Sequence, residues 1–265
     1  MKMIKNNELL LEICKISLLA GDEILQIYND KIDVVQKEDL SPLTKADIAS
    51  NKIILRSLVA IDNSIPVLSE ESLVNWNERK KWNKYWLVDP LDGTKEFIKK
   101  NGEFTVNIAL IENNKPILGV IYVPTKSTLY FAQQNFGSFK INITSELKSL
   151  DGAKKIFVSN QKIIQRVIGS RSHSNKNFDE WVKNNFPNSL IIQAGSSYKF
   201  CLIAEGSADI YPRFGPTSEW DIAAGHIIVN EAGGEVRTFD NTDINYNTKE
   251  DLINPHFYAI GKFKI

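Results

Sequence analysis

Asp89 and Asp92 lie three residues apart at the end of an apolar run, in Trp86-Leu87-Val88-Asp89-Pro90-Leu91-Asp92-Gly93-Thr94. At neutral pH two such carboxylates repel each other unless positive charge lies between them. The economical partner is a hard divalent cation, which prefers oxygen ligands. Gly93 lets the backbone approach a ligand closely. Thr94-Lys95-Glu96-Phe97-Ile98 predicts a helix start, whose free N–H groups attract an anion. A cation and an anion at one turn point to phosphate chemistry.

Three further acids can join this pair. Ile65-Pro66-Val67-Leu68-Ser69-Glu70-Glu71 repeats the form of an apolar strand ending in carboxylates. If the two strands are neighbours, Glu70 meets Asp89 and Asp92. Asp221 opens a predicted helix stopped by Gly233-Gly234. Asp47 falls in the first turn of another helix, N-capped by Thr44. Either acid can simply complement a helix dipole. Brought together, Glu70, Asp89, Asp92 and Asp221 make an oxygen-only set suited to Mg²⁺. A metal in such a set lowers the pKa of water, and a second stabilises a leaving oxygen. Thr94, with a carboxylate behind it, would orient that water. The three histidines show no zinc spacing, and His226 reads as a structural residue inside the last helix.

Three donor clusters could hold the rest of a substrate. Ser170-Arg171-Ser172-His173 follows an apolar strand, though a solvated loop would look the same. Gly195-Ser196-Ser197-Tyr198-Lys199 precedes a helix and suits an anion, though capping alone accounts for it equally well. Arg213, in Tyr211-Pro212-Arg213-Phe214, fits either a phosphate or a structural ion pair.

The elements that must position these residues follow from periodicity. Apolar residues at helical spacing over 8–28 predict an amphipathic helix, interrupted mildly at Gly21-Asp22. A short strand follows at 34–37, then the Thr44-capped helix. Past the central turn, 104–111, 116–123 and 128–132 alternate as a β-meander. The first half is therefore expected to be α+β with an antiparallel sheet. The polar stretch 142–153 suggests a boundary, giving an N-terminal subdomain over 1–148 with the metal site. A C-terminal α/β subdomain over 149–265, carrying the remaining binding residues, is expected to open with a strand at 155–159.

The chain has 265 residues, 43% apolar and 24% charged, with 32 basic and 32 acidic residues. Zero formal net charge argues against general nucleic-acid binding, so any anion site must be local. Cys14 and Cys201 have neither disulfide-framework nor metal-ligand spacing and read as reduced core thiols of a cytoplasmic protein. No run approaches the ~20 apolar residues of a membrane span.

Three motifs in order make a specific signal: Leu68-Ser69-Glu70-Glu71, Asp89-Pro90-Leu91-Asp92-Gly93-Thr94 and Trp220-Asp221-Ile222-Ala223-Ala224-Gly225. Over nearly its whole length the chain resembles the inositol monophosphatase superfamily of Mg²⁺-dependent, lithium-sensitive phosphatases. Asp92-Gly93-Thr94-Lys95-Glu96-Phe97, Gly195-Ser196-Ser197-Tyr198-Lys199 and Tyr211-Pro212-Arg213 resemble its bacterial 3′(2′),5′-bisphosphate nucleotidase branch. The resemblance implies a layered αβαβα sandwich with the site between two subdomains. It implies two or three Mg²⁺ ions held by Glu70, Asp89, Asp92, Asp221 and the Leu91 carbonyl. It implies that Asp47, Glu70 and Thr94 activate water. Substrate contacts are implied for Gly93, Thr94, Ser172, His173, Ser196, Ser197, Lys199 and Arg213. The implied reaction removes the 3′-phosphate of adenosine 3′,5′-bisphosphate and is linked to sulfur assimilation. Some relatives attach peripherally to the inner membrane, although no anchor is visible here. Tyr198 and Ile222 depart from that branch's usual leucine and threonine, at positions that ligate nothing. The alternatives are an inositol or sugar monophosphatase of the same fold, and a non-catalytic nucleotide- or metal-binding regulator.

Overall fold

A computed structural model of the chain describes residues 2–29, 34–36, 42–172 and 175–263. The long amphipathic pattern folds as one helix, α1 (Lys2–Asn29), and runs unbroken through Gly21. Strands β1 (Val34–Gln36) and β2 (Pro42–Thr44) pair antiparallel and lead into α2 (Lys45–Ile61). Thr44 caps α2: its hydroxyl accepts the Ala46 N–H at 3.2 Å. The Asp47 carboxylate reaches back to the Thr44 N–H at 2.7 Å, closing a capping box.

A seven-stranded sheet follows in chain order. Its strands are β3 (Val67–Ser69), β4 (Lys84–Asp92), β5 (Thr105–Glu112), β6 (Lys115–Val123), β7 (Thr128–Gln133), β8 (Gly137–Asn142) and β9 (Lys154–Ile156). Only β3 and β4 are parallel, with the short helix α3 (Trp76–Arg79) in their crossover. The other neighbours are antiparallel, and β5, β6 and β7 form the meander that the alternating pattern predicts. Alternation along β4 sends Trp86 and Val88 into a core with α1 and α2, and Tyr85 and Leu87 into a core on the other face. Between β4 and β5 lies α4 (Thr94–Ile98).

The second sheet has five strands, in the order β11-β10-β12-β14-β13. In chain order its region comprises β10 (Arg166–Ser170), α5 (Lys176–Asn185), β11 (Leu190–Ala194), α6 (Tyr198–Ala204), β12 (Ile210–Arg213), α7 (Glu219–Glu231), β13 (Glu235–Thr238) and β14 (Phe257–Ile260). Helices α6 and α7 fill the space between the sheets, through Phe200, Ala223, Ile227 and Ile228. On the outer face Val182 of α5 packs on Val167, Ile210 and Ile260. The layers are therefore α1/α2, sheet, α6/α7, sheet, α5, the αβαβα sandwich that the resemblance implies.

The strand expected to open the second half instead closes the first sheet. Lys154–Ile156 pairs antiparallel with β8, Ser138 opposite Ile156. The polar stretch 142–153 is a connection within this sheet, because the chain turns back after it and pairs with the edge of the preceding strand. The first sheet therefore reaches past residue 148, and α7 of the later half lies directly on it. A Cβ at Gly119 of β6 would stand 2.7 Å from the Ala224 carbonyl oxygen. Among the described residues no helix is long and apolar enough to cross a membrane.

Candidate active site

Glu70 and Asp89 leave neighbouring parallel strands together. Ser69 lies beside Val88, and the Glu70 amide donates to the Val88 carbonyl at 3.1 Å. The pairing of β4 with β5 then slips: Asp89 opposes Asn107, whereas Asp92 opposes Thr105. Three steps on β4 match two on β5, which is a bulge. Residues three apart on a regular strand point to opposite faces. The extra residue brings Asp92 back to the side of Asp89. The tight turn expected to end this strand is thus a bulge inside it, because β5 keeps pairing as far as Asp92.

Asp221 arrives from the first turn of α7. Carboxylate oxygens of Asp89, Asp92 and Asp221 all lie within 4.8 Å of one another. Burial raises the Asp89 carboxyl well above the usual carboxylate range, and the charges of Glu70, Asp92, Asp221 and Asp47 raise it further. Burial and the Asp92 charge push Asp221 up to about 8. Asp92 is raised by burial, against the pull of Lys199 and the hydrogen bonds from Ser197. Three acids gathered this closely need protons or a cation. Their oxygen-only donors fit a hard divalent ion. Glu70 lines the same cleft and adds its charge.

Asp47 and Thr94 meet beside the acids. Asp47 is buried, and its Oδ2 accepts the Thr44 amide at 2.7 Å and the Thr44 hydroxyl at 2.5 Å. Its Oδ1 accepts the Thr94 hydroxyl at 3.3 Å, with the Leu91 carbonyl as that hydroxyl's other acceptor at 3.4 Å. The capping box thus aims one oxygen of Asp47 at Thr94. Gly93 is needed where it stands: its φ is +90°, and a Cβ there would lie 3.1 Å from the Glu103 carbonyl and from Ser196 Cβ.

A cleft of about 770 Å³ opens over these groups, lined also by Ser170, Ser196, Lys199, Arg213 and Trp220. Lys199 is buried; its Nζ donates to the Ser196 carbonyl at 2.6 Å and lies 5.3 Å from the Tyr211 ring centroid. Burial lowers its pKa to about 8, while the nearby Asp92 charge works to raise it. Arg213 donates through Nη2 to the Pro216 carbonyl at 3.0 Å.

Two expected contacts have partners within the protein, and Ser197 also lines the cleft. Ser197 is buried and turned onto Asp92, giving its amide at 2.6 Å and its hydroxyl at 2.5 Å to Oδ2. Ser172 takes a hydrogen bond from the Lys99 ammonium at 3.1 Å, while Ser170, at the end of β10, lines the cleft. His173 lies outside the described residues. Asn107 carries no signal in the sequence. In the fold its amide nitrogen reaches the Ser197 hydroxyl at 2.9 Å and Asp92 at 3.3 Å.

The comparisons with known proteins agree with this geometry. The inositol monophosphatase family matches residues 6–259. The 3′(2′),5′-bisphosphate nucleotidase CysQ of Buchnera aphidicola is 49% identical over 255 residues, covering 94% of this chain and 92% of that protein. Its counterpart in Shigella flexneri is 44% identical over 248 residues, 93% of this chain and 97% of the other. The crystal structure of CysQ from Bacteroides thetaiotaomicron, itself described as a bacterial member of the inositol monophosphatase family, superposes with a TM-score of 0.86. It is 41% identical and covers 97% of this chain and 98% of its own. Acids on two strand ends and a helix start, in a five-layer sandwich, therefore have a common origin with those enzymes: the chain belongs to the inositol monophosphatase family.

Proposed function

We propose that the chain hydrolyses the 3′-phosphate of adenosine 3′,5′-bisphosphate, giving AMP and phosphate. The observation that carries this reading is the 44–49% identity, over more than nine-tenths of the chain, to relatives named 3′(2′),5′-bisphosphate nucleotidase. The cleft supports it, because Lys199 and Arg213 line it together with the acids, which suits a substrate with two phosphates.

In this reading Glu70, Asp89, Asp92, Asp221 and the Leu91 carbonyl hold two or three Mg²⁺ ions. When bound, these ions supply positive charge at the scissile phosphate and make water acidic enough to attack at neutral pH. The chain's own groups do the rest. Thr94 directs its hydroxyl proton to Asp47 Oδ1, which leaves a lone pair to take a proton from the attacking water. Glu70, which lines the same cleft, would serve as a second acceptor for that water. The Gly93 and Thr94 amides hold phosphate oxygens. Ser196, Lys199 and Arg213 hold the second phosphate, and the nucleoside extends along Ser170 toward Ser172 and His173. The 1–148 and 149–265 portions act as two subdomains on either side of the site. A cytoplasmic location belongs to the same reading, supported by the two buried free thiols.

Phosphate release from adenosine 3′,5′-bisphosphate, compared with inositol 1-phosphate in the same Mg²⁺ buffer, tests the assignment. A strong preference for the inositol ester would overturn it. A protein that binds the nucleotide tightly but never releases phosphate would favour the regulator.

A further inference from the structure

One face of α2 touches the segments that carry Glu70, Asp89 and Asp92. Residues 47, 50 and 51 are spaced to share that face. Asp47 accepts the Thr94 hydroxyl at 3.3 Å. Ser50, fully buried, donates its hydroxyl to the Pro90 carbonyl at 2.7 Å. Asn51 accepts from the Ser69 hydroxyl at 2.7 Å and donates to the Ser72 hydroxyl at 3.0 Å. Ser69 and Ser72 bracket Glu70 and Glu71, while Pro90 separates Asp89 from Leu91. Further along the same face Ile54 and Leu58 are fully buried and root the helix in the core.

Pro90 has no N–H, and it lies in the bulge where the ladder to β5 slips. The backbone between Asp89 and Asp92 therefore needs an anchor from outside the sheet. Ser50 supplies a donor to that backbone, and Asn51 does the same service for the segment of Glu70. We propose that Ser50 and Asn51 are positioning residues: through them α2 splints the bulge and the Glu70 segment into the one arrangement that binds a divalent cation. The proposal rests on reading these acids as cation ligands.

The test is Mg²⁺ binding to the purified protein by calorimetry, beside the Mg²⁺ dependence of phosphate release. Ser50→Ala and Asn51→Leu each remove one anchor, Ser50→Thr keeps the hydroxyl, and Ile54→Val loosens only the packing of the same face. Partners that orient metal ligands from behind typically carry a 10- to 100-fold effect on affinity. The expected result is a Mg²⁺ midpoint raised roughly tenfold in Ser50→Ala and Asn51→Leu. Ser50→Thr should stay close to the unaltered protein, and Ile54→Val should lower thermal stability without moving the Mg²⁺ midpoint. Unchanged Mg²⁺ midpoints in both anchor variants would reduce the contacts to packing and overturn the proposal alone. Absence of Mg²⁺ binding in the unaltered protein would overturn the ligand reading, and the proposal with it.

Discussion

Asp92 is braced by donors from two separate elements. Its Oδ2 takes the amide and hydroxyl of Ser197, and the Asn107 side chain lies at 3.3 Å. Those donors come from β5 and from the start of α6, so one carboxylate joins both portions of the chain. Replacing it with Asn removes a charge from a shared cation site and gives the amide donors an N–H to face. Asp92→Asn should abolish most phosphate release even at saturating Mg²⁺, and near-normal turnover in a Mg²⁺ titration would refute its assignment. Ser197→Ala is milder. It keeps the amide bond but removes the hydroxyl bond, a charge-assisted contact worth about 1.5–3 kcal/mol at a buried site. The Mg²⁺ requirement should rise about tenfold or more, since each 1.4 kcal/mol is a factor of ten. An unchanged requirement would return Ser197 to the substrate-binding role expected from its sequence. The acids themselves were legible because two carboxylates ending an apolar run are hard to explain as solvated surface. The jobs of Ser197 and Asn107 were not, because a serine before a helix looks the same whether it caps, binds anion or braces an acid. An asparagine in a buried strand gives no sign of what it faces.

At the scale of elements, the site depends on how close α7 can come to the first sheet. Asp221 rides on the first turn of α7, and Asp89 and Asp92 ride on β4. The distance between them is set where α7 crosses β6 at Gly119. A Cβ there would meet Ile227 Cγ2 at 2.4 Å and Ala224 backbone at 2.7 and 3.0 Å. Backbone cannot rotate aside as a side chain can. Gly119→Ala should therefore cost about 1–3 kcal/mol of stability, as overpacking of a dense core does. It should also weaken Mg²⁺ activation by pushing Asp221 outward. Urea unfolding and a Mg²⁺ titration on one preparation check both effects; a loss of stability with unaltered Mg²⁺ activation would show that the helix yields elsewhere. The sequence displayed α1, the capped α2, the meander and the start of α7, since each has strong periodicity or a cap. It did not display the β4 bulge or the sheet to which 154–156 belongs. Both are decided by how one strand pairs with its neighbour in the chain, and local pattern carries no record of that register or pairing.

At the scale of the whole molecule, three packed cores between five layers leave little room for charge, and the groups buried there record it in their titration. The layered architecture was legible only through the resemblance, because hydrophobic pattern cannot say which face of a strand meets which helix. Its consequence for pH is clearest at His226, inside α7 between the two sheets. His226 is buried, and its Nδ1 lies 2.9 Å from the Tyr246 hydroxyl. Burial is the leading cause that lowers its pKa to about 3. In the unfolded chain a histidine titrates near 6.5. The folded state therefore excludes a proton that the unfolded state takes up. Its contribution to stability is fully present above pH 6.5 and is lost as pH falls from there toward 3, at about 1.4 kcal/mol per pH unit. Buried Glu219 works the other way. Burial pushes its pKa up to about 7, so its contribution grows as pH falls from about 7 toward the ordinary glutamate value near 4.3. Comparison with His226→Gln separates the two, because Gln preserves a polar partner for Tyr246 and cannot gain a proton. Between pH 7 and 5.5 the unaltered protein should lose about 1 kcal/mol more of unfolding free energy than His226→Gln. Urea denaturation at the two pH values, in metal-free buffer, measures the difference. Parallel pH dependence in the two proteins would mean that His226 is protonated in the folded state, and that the core around α7 is wetter than its packing implies.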